Sequence, residues 1–283
     1  MTVATTRTVR IGHSPDPDDA FMYYAIAHGK VDTAGFTVEQ VLEDIESLNR
    51  RALASELEVT AISIHAYAHL VDRYALMSCG ASMGDGYGPI VVAREPFAPH
   101  ALAGKTVAIP GTLTSAYLAL RLFVGAEFPF IVVPFDRILD AVAGGQADAG
   151  LIIHEGQLTY AAHGLARIVD LGAWWSAKTG GLPLPLGGNA VRRDLGDGAM
   201  RALTRMYRDS IAYALAHRPE ALAYAKDFGR GLDDPTNDRF VGMYVNDLTL
   251  DYGERGRRSI QMFLDEGVAA GIVPPTGPVT FIA

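Results

Sequence analysis

His154 is the residue best placed for proton chemistry. It follows Leu151-Ile152-Ile153, an apolar run between Gly150 and Gly156 that reads as a short strand buried on both faces. An imidazole at the end of such a strand stands where ligands collect in an open parallel sheet, and it exchanges protons near neutral pH. The same position also suits a histidine that only caps the strand through backbone hydrogen bonds. A second cluster, Asp16, Asp18 and Asp19, lies in Ser14-Pro15-Asp16-Pro17-Asp18-Asp19. Helix capping accounts for all three, with Asp16 as N-cap, Pro17 at the first helical position and two acids in the first turn. No further ligands follow at metal-binding spacing, so no metal is expected. Ser63, Thr114 and Ser115 sit at strand-to-helix junctions. There a hydroxyl and free backbone N–H groups can hold a carboxylate, or simply cap the helix.

These residues need a frame of alternating strands and helices. Thr8–Gly12 reads as a strand and Pro17–Ile26 as a helix that stops at Gly29. Phe36–Val41 follows as a strand, Ile45–Leu53 as a helix, Glu58–His65 as a strand and Ala66–Leu70 as a helix. Gly80–Gly88 is a glycine-rich loop without the Gly-Lys-Ser/Thr of a phosphate-binding loop, and Pro89–Ala93 is a strand. Arg94–Gly104, with two prolines, reads as a crossing between domains. The pattern then restarts: strand Lys105–Ile109, helix Ala116–Phe123, strand Ile131–Val133, helix Ile138–Ala143 and the strand before His154. The stretches Ala54–Ile62 and Gly144–Ile152 echo one another, which points to two similar α/β halves. Trp174-Trp175 and Leu182–Asn189 lead back to the first half, and the tryptophans suit either packing or the wall of a pocket. Four helical segments after Ala199 read as core and cover without visible chemistry.

Composition narrows the functional classes. With 283 residues, 49% hydrophobic, the chain has ample material for one large or two modest domains. A net charge of −8 without a Lys/Arg cluster argues against a nucleic-acid partner. Cys79 is the lone cysteine, which excludes an internal disulfide and a cysteine-based zinc site. The N-terminus lacks a signal-peptide apolar region and no run of 18 apolar residues exists, so a cytoplasmic protein without a membrane partner is expected.

Two α/β lobes joined by a chain that crosses and returns describe a type II periplasmic-binding-protein-like fold, with the ligand cleft between lobes. The expected larger lobe comprises residues 1–95 and 188–283, and the inserted smaller lobe residues 96–187. Several segments carry a more specific resemblance: Ser14-Pro15-x-Pro17-x-Asp19-x-Phe21, Val41-Leu42-Glu43-Asp44-Ile45-Glu46-x-Leu48-Asn49, Ser63-x-x-Ala66-Tyr67-Ala68 and Gly150–Glu155. Val169-Asp170-Leu171-Gly172-x-Trp174-Trp175 and Leu182-Pro183-Leu184-Pro185-Leu186-Gly187 extend it. Together they resemble the 1,4-dihydroxy-6-naphthoate synthase family of the futalosine route to menaquinone, from about Arg10 to Ala270.

The resemblance implies a carbon–carbon lyase that converts cyclic dehypoxanthine futalosine, a carboxylated bicyclic nucleoside-derived small molecule, to 1,4-dihydroxy-6-naphthoate and a three-carbon fragment. It implies His154 as general base and no cofactor, because the substrate itself stabilises the developing charge. Ser14 and Asp16 in the first turn, with Ser63, Thr114 and Ser115 at helix starts on opposite lobes, are the implied substrate-binding residues. A homodimer is compatible with this reading. Where the family's first turn runs Ser-Pro-Cys-Pro-Asn-Asp-Thr-Phe, this chain has Asp16, Asp18 and Ala20. That adds up to two negative charges near a pocket meant for a carboxylate. Two alternatives share the fold: a solute-binding protein, which should carry a signal peptide or lipid-anchor cysteine, and a chorismate dehydratase of the same pathway.

Overall fold

The computed structural model describes residues 7–283, so the N-terminal segment read as lacking a signal-peptide core falls outside the described residues for Met1–Thr6. The first half runs β1 (Arg7–His13), α1 (Pro17–Ala27), β2 (Phe36–Leu42), α2 (Ile45–Leu53), β3 (Val59–Ser63) and α3 (Ile64–Tyr67). Then come β4 (Tyr74–Met77), β5 (Ser82–Gly84), β6 (Ile90–Ala93), β7 (Val107–Ile109), α4 (Ser115–Val124) and β8 (Phe130–Val132). The middle of the chain forms α5 (Ile138–Ala143), β9 (Ala149–Ile152), α6 (Gly156–Thr159), β10 (Ala166–Asp170), α7 (Leu171–Thr179) and β11 (Leu184–Arg192). The remainder is α8 (Asp197–Ala216), α9 (Arg218–Lys226), α10 (Asp234–Tyr244), α11 (Asp247–Leu250), α12 (Gly253–Ala269) and β12 (Phe281–Ile282).

Two mixed sheets result. The first has the order β12-β4-β11-β3-β1-β2, with β5 added on β11, and the second the order β10-β6-β9-β7-β8. β1 runs parallel to β2 and β3, while β11 runs antiparallel to β3 and sets Gly187 opposite Ser63. In the second sheet β7 and β9 are parallel neighbours, and β6 pairs antiparallel with β9. The sheet is therefore not purely parallel, yet the chain leaves β7 and β9 in the same direction, towards the ends of β1 and β3. Both sheets thus deliver the carboxyl ends of parallel strands to one cleft, the arrangement that collects ligands in α/β folds.

Packing explains the elements. β3, β6 and β9 are buried throughout, as their apolar sequences require of central strands. Gly150 in β9 lets α5 approach closely: an added Cβ would sit 2.6 Å from Ile138 and 2.7 Å from Val142. α1, buried along nearly its whole length, packs with Leu203, Met206 and Ile211 of α8 over the first sheet. Among the described residues, no helix is long and apolar enough to cross a membrane.

Two expectations need correction. The crossing between sheets precedes β6 instead of following it, because β6 hydrogen-bonds to β9 and β10 of the second sheet. The return begins with Leu184 at the start of β11, in the first sheet, ahead of the expected boundary at residue 188. The glycine-rich loop before Pro89 supplies the crossing turn, with Gly86 at φ +81°. The tryptophans do not line the cleft. Trp175 is fully buried, donates its indole N–H to Ser259 Oγ at 3.1 Å and packs edge-on against Phe263, and Trp174 packs on Phe123.

Candidate active site

The cleft between the sheets encloses about 710 Å³ of unfilled space, part of it open to solvent. Its wall includes Ser14, Asp16, Ser63, Thr114, Ser115 and His154, so all six residues singled out in the sequence meet there.

His154 stands two residues beyond β9 and is largely buried. Its Nδ1 lies 3.2 Å from Asp16 Oδ2, and its Nε2 is buried without a hydrogen-bond partner. Phe135 meets the imidazole edge-on with ring centres 4.2 Å apart. A carboxylate at Nδ1 favours the tautomer that carries its proton there and leaves Nε2 with a free lone pair. The alternative of a histidine that only caps its strand finds no such backbone bond.

Asp16 differs from the helix cap expected of it. Its backbone occupies the N-cap position, with φ −116° and ψ 152°, but its side chain makes no capping bond. The carboxylate instead accepts from Ser14 Oγ at 2.7 Å and from Arg230 at 2.8 Å, beside His154. Burial pushes the Asp16 carboxyl up, but His154, the Arg230 guanidinium and the Ser14 hydroxyl together outweigh it and hold the group below the usual range. Asp18 shows the opposite balance. Burial, reinforced by Asp19 and Asp16, raises it well above the ordinary value despite a 3.2 Å bond from Ser82 Oγ. Burial likewise pushes Asp19 to about 6, against the pull of the Ser14 N–H and hydroxyl.

The Ser14 hydroxyl lies 2.7 Å from Asp16 Oδ2 and 2.8 Å from Asp19 Oδ2, but it has one proton to give. Below about pH 6 a protonated Asp19 resolves the conflict by donating to Ser14, which donates to Asp16. The two extra acids of the first turn therefore do not add two free charges: Asp16 is paired with a cation and Asp18 is driven towards neutrality.

On the opposite wall, Thr114 caps α4 by accepting from the Tyr117 N–H at 3.2 Å and donates to the Gly111 carbonyl at 3.0 Å. Ser115 Oγ donates to the Leu186 carbonyl and accepts from the His65 N–H. These two hydroxyls are committed to the protein, so what they offer a ligand is the start of α4, where the N–H groups of Ser115 and Ala116 have no intrahelical acceptor. Ser63 Oγ accepts from Asn49 Nδ2 at 3.0 Å and keeps its own proton to donate. Burial lowers His65 to about 4, so it is neutral, and its Nδ1–H donates to the Thr114 carbonyl at 3.2 Å.

Sequence reading missed Arg230, Glu155 and Tyr244, and the segment after Ala199 is not merely cover. Arg230 binds both oxygens of Glu155, at 3.1 and 3.2 Å, and Tyr244 joins Gln157 at 2.9 Å. The only sequence sign of Arg230 was Gly229-Arg230-Gly231, a short break between helices. The expectation of no metal-like cluster also fails as a matter of geometry, since ligand atoms of Asp16, His154 and Glu155 lie within 4.8 Å of one another. Arg230 already supplies the positive charge to both carboxylates.

Known proteins resemble the chain over nearly its whole length. A family model described as menaquinone biosynthesis matches residues 9–269. The chain belongs to this menaquinone-biosynthesis family. A 1,4-dihydroxy-6-naphthoate synthase from Thermus thermophilus is 46% identical over 274 residues, spanning 97% of this chain and 99% of the relative. The enzyme of the same name from Streptomyces coelicolor is 37% identical over 276 residues and 96% of each chain. A crystal structure of an Archaeoglobus fulgidus protein shares 49% identity and a TM-score of 0.89, over 94% of this chain and 98% of that one. The alkanesulfonate-binding protein of Xanthomonas axonopodis pv. citri, bound to MOPS, reaches a TM-score of 0.73 at 12% identity over 98% of each chain. That likeness concerns the fold alone: this family member has the two-lobed, periplasmic-binding-protein-like architecture, with its ligand cleft between the lobes.

Proposed function

We propose that the protein is a carbon–carbon lyase that converts cyclic dehypoxanthine futalosine to 1,4-dihydroxy-6-naphthoate, with His154 as general base. The observation that carries the reading is the His154 imidazole, tied at Nδ1 to Asp16 and bare at Nε2 inside the cleft. Nε2 removes a proton from the bound substrate. The electron pair released drives carbon–carbon cleavage, the three-carbon fragment leaves, and aromatisation of the new ring supplies much of the driving force. General base catalysis of this kind contributes about 10²–10⁴-fold.

The substrate carboxylate meets the start of α4 and the Ser63 hydroxyl, where backbone N–H groups favour an anion. Asp16 does not repel it, because Arg230 neutralises the carboxylate, and burial together with Asp19 and Asp16 raises the Asp18 carboxyl well above its ordinary value. Closure of the lobes keeps water from the reacting atoms. The names of the Thermus thermophilus and Streptomyces coelicolor relatives support this choice of product. Incubation of the purified protein with cyclic dehypoxanthine futalosine, followed by chromatography and mass detection of the naphthoate, tests it. Unchanged substrate after many enzyme equivalents of time would reject the assignment.

A further inference from the structure

We propose that Arg230 is a positioning residue that fastens the His154 loop of one lobe to the Asp16 turn of the other and thereby sets the orientation of the imidazole. The inference rests on the reading of His154 as the base. Arg230 lies in the short loop between α9 and α10, outside both sheets. Its guanidinium donates to Asp16 Oδ1 at 2.8 Å and to the Pro15 carbonyl at 3.0 Å, both beside the first sheet. The other arm donates to Glu155, the residue after His154, at 3.1 and 3.2 Å. Its flat face covers the Phe135 ring at 4.6 Å, and the same ring supports His154. One side chain therefore touches the orienting acid, the neighbour of the base and the aromatic ring that supports it.

The backbone bears out the specificity of this arrangement. Arg230 has φ +47°, in the left-handed region, immediately before Gly231 at φ +85°. A non-glycine residue there is strained and persists where its contacts over-determine it. Only a planar guanidinium reaches two carboxylates and a ring face at once, so lysine is not an equivalent. A neighbouring tie, Gln157 of α6 to Tyr244 of α10, clasps the same loop from its far side. The charged groups facing the imidazole are Asp16, Glu155 and Arg230, with Asp19 and Asp18 behind Asp16 on α1.

Arg230→Met and Arg230→Lys separate orientation from simple charge. With cyclic dehypoxanthine futalosine, Arg230→Met is expected to lower kcat at least about tenfold while KM stays within about threefold. Arg230→Lys keeps the positive charge but does not restore kcat. Hydrogen exchange provides a readout that needs no substrate: the Gln157 and Leu158 amides, bonded to His154 and Glu155 carbonyls, should exchange about tenfold faster in both variants, with β3 amides unchanged. Full recovery of kcat by lysine, or exchange that is unaltered or accelerated equally in β3, overturns the proposal. If the wild-type protein leaves this substrate untouched, the functional reading fails and the exchange data alone decide whether Arg230 fastens the loop.

Discussion

Asp16 Oδ2 stands 3.2 Å from His154 Nδ1, across the boundary between two separately formed sheets. The two residues belong to different lobes, so the relative placement of the lobes sets the orientation of the imidazole. His154→Asn is expected to fold normally and to lose at least about two decades of turnover. Asp16→Asn should lower kcat on the order of 10²–10⁴-fold through the wrong tautomer, with product affinity nearly unchanged. Steady-state kinetics beside product-binding titrations check both, and near-wild-type turnover in either variant would contradict its role.

Asp19 links stability to pH. Its folded value of about 6 lies above its unfolded value of about 3.9, so the native state holds the extra proton between the two. Stability contributed by that proton is intact below about pH 4 and is lost as pH rises through about 6. Asp19→Asn should therefore gain up to about 3 kcal/mol over wild type at pH 8 and little at pH 4. Urea unfolding at the two pH values measures the difference, and an equal change at both would remove Asp19 as its source.

Turnover should survive exhaustive chelation. Asp16, His154 and Glu155 sit close enough to bind a metal ion, but Arg230 is salt-bridged to both carboxylates and would have to be displaced. Activity that disappears with chelator and returns with one particular divalent ion would give the cluster to a metal.

Gly150→Ala tests how tightly the strand that carries His154 is mounted. The new methyl would press on Ile138 and Val142, at 2.6 and 2.7 Å, and shift α5 away from β9. A cost of about 1–3 kcal/mol is expected. Thermal unfolding reports it, and an unchanged midpoint would mean that α5 moves freely.

Much of this was legible in local patterns. The apolar run before His154, the strand-to-helix junctions at Ser63 and Thr114, and the echo between halves all rest on short-range periodicity, and each has its counterpart in the structure. Asp16 was misread because Asp16-Pro17 satisfies the rules for a helix start, while its side chain answers to Arg230, some two hundred positions along the chain. Ion pairs between remote segments leave no periodic trace. The start of α10 is likewise faint in the sequence: Asp233 caps it at the Thr236 N–H, but too few apolar residues follow to mark the turn. β6 went to the wrong lobe because an apolar strand does not announce which sheet will receive it.

Ser115 offers a final consequence. Its hydroxyl is held from two sides by the first sheet's half of the molecule, through the Leu186 carbonyl and the His65 N–H. The start of α4 is thus pinned at a set spacing from the end of β3 by the protein's own atoms. On the proposed reading the cleft then works as a gauge: a substrate with its carboxylate at α4 must have the right length for its reacting carbon to reach Nε2 of His154. Shorter or longer acids would find the same charges and the same base, and still be passed over for their span.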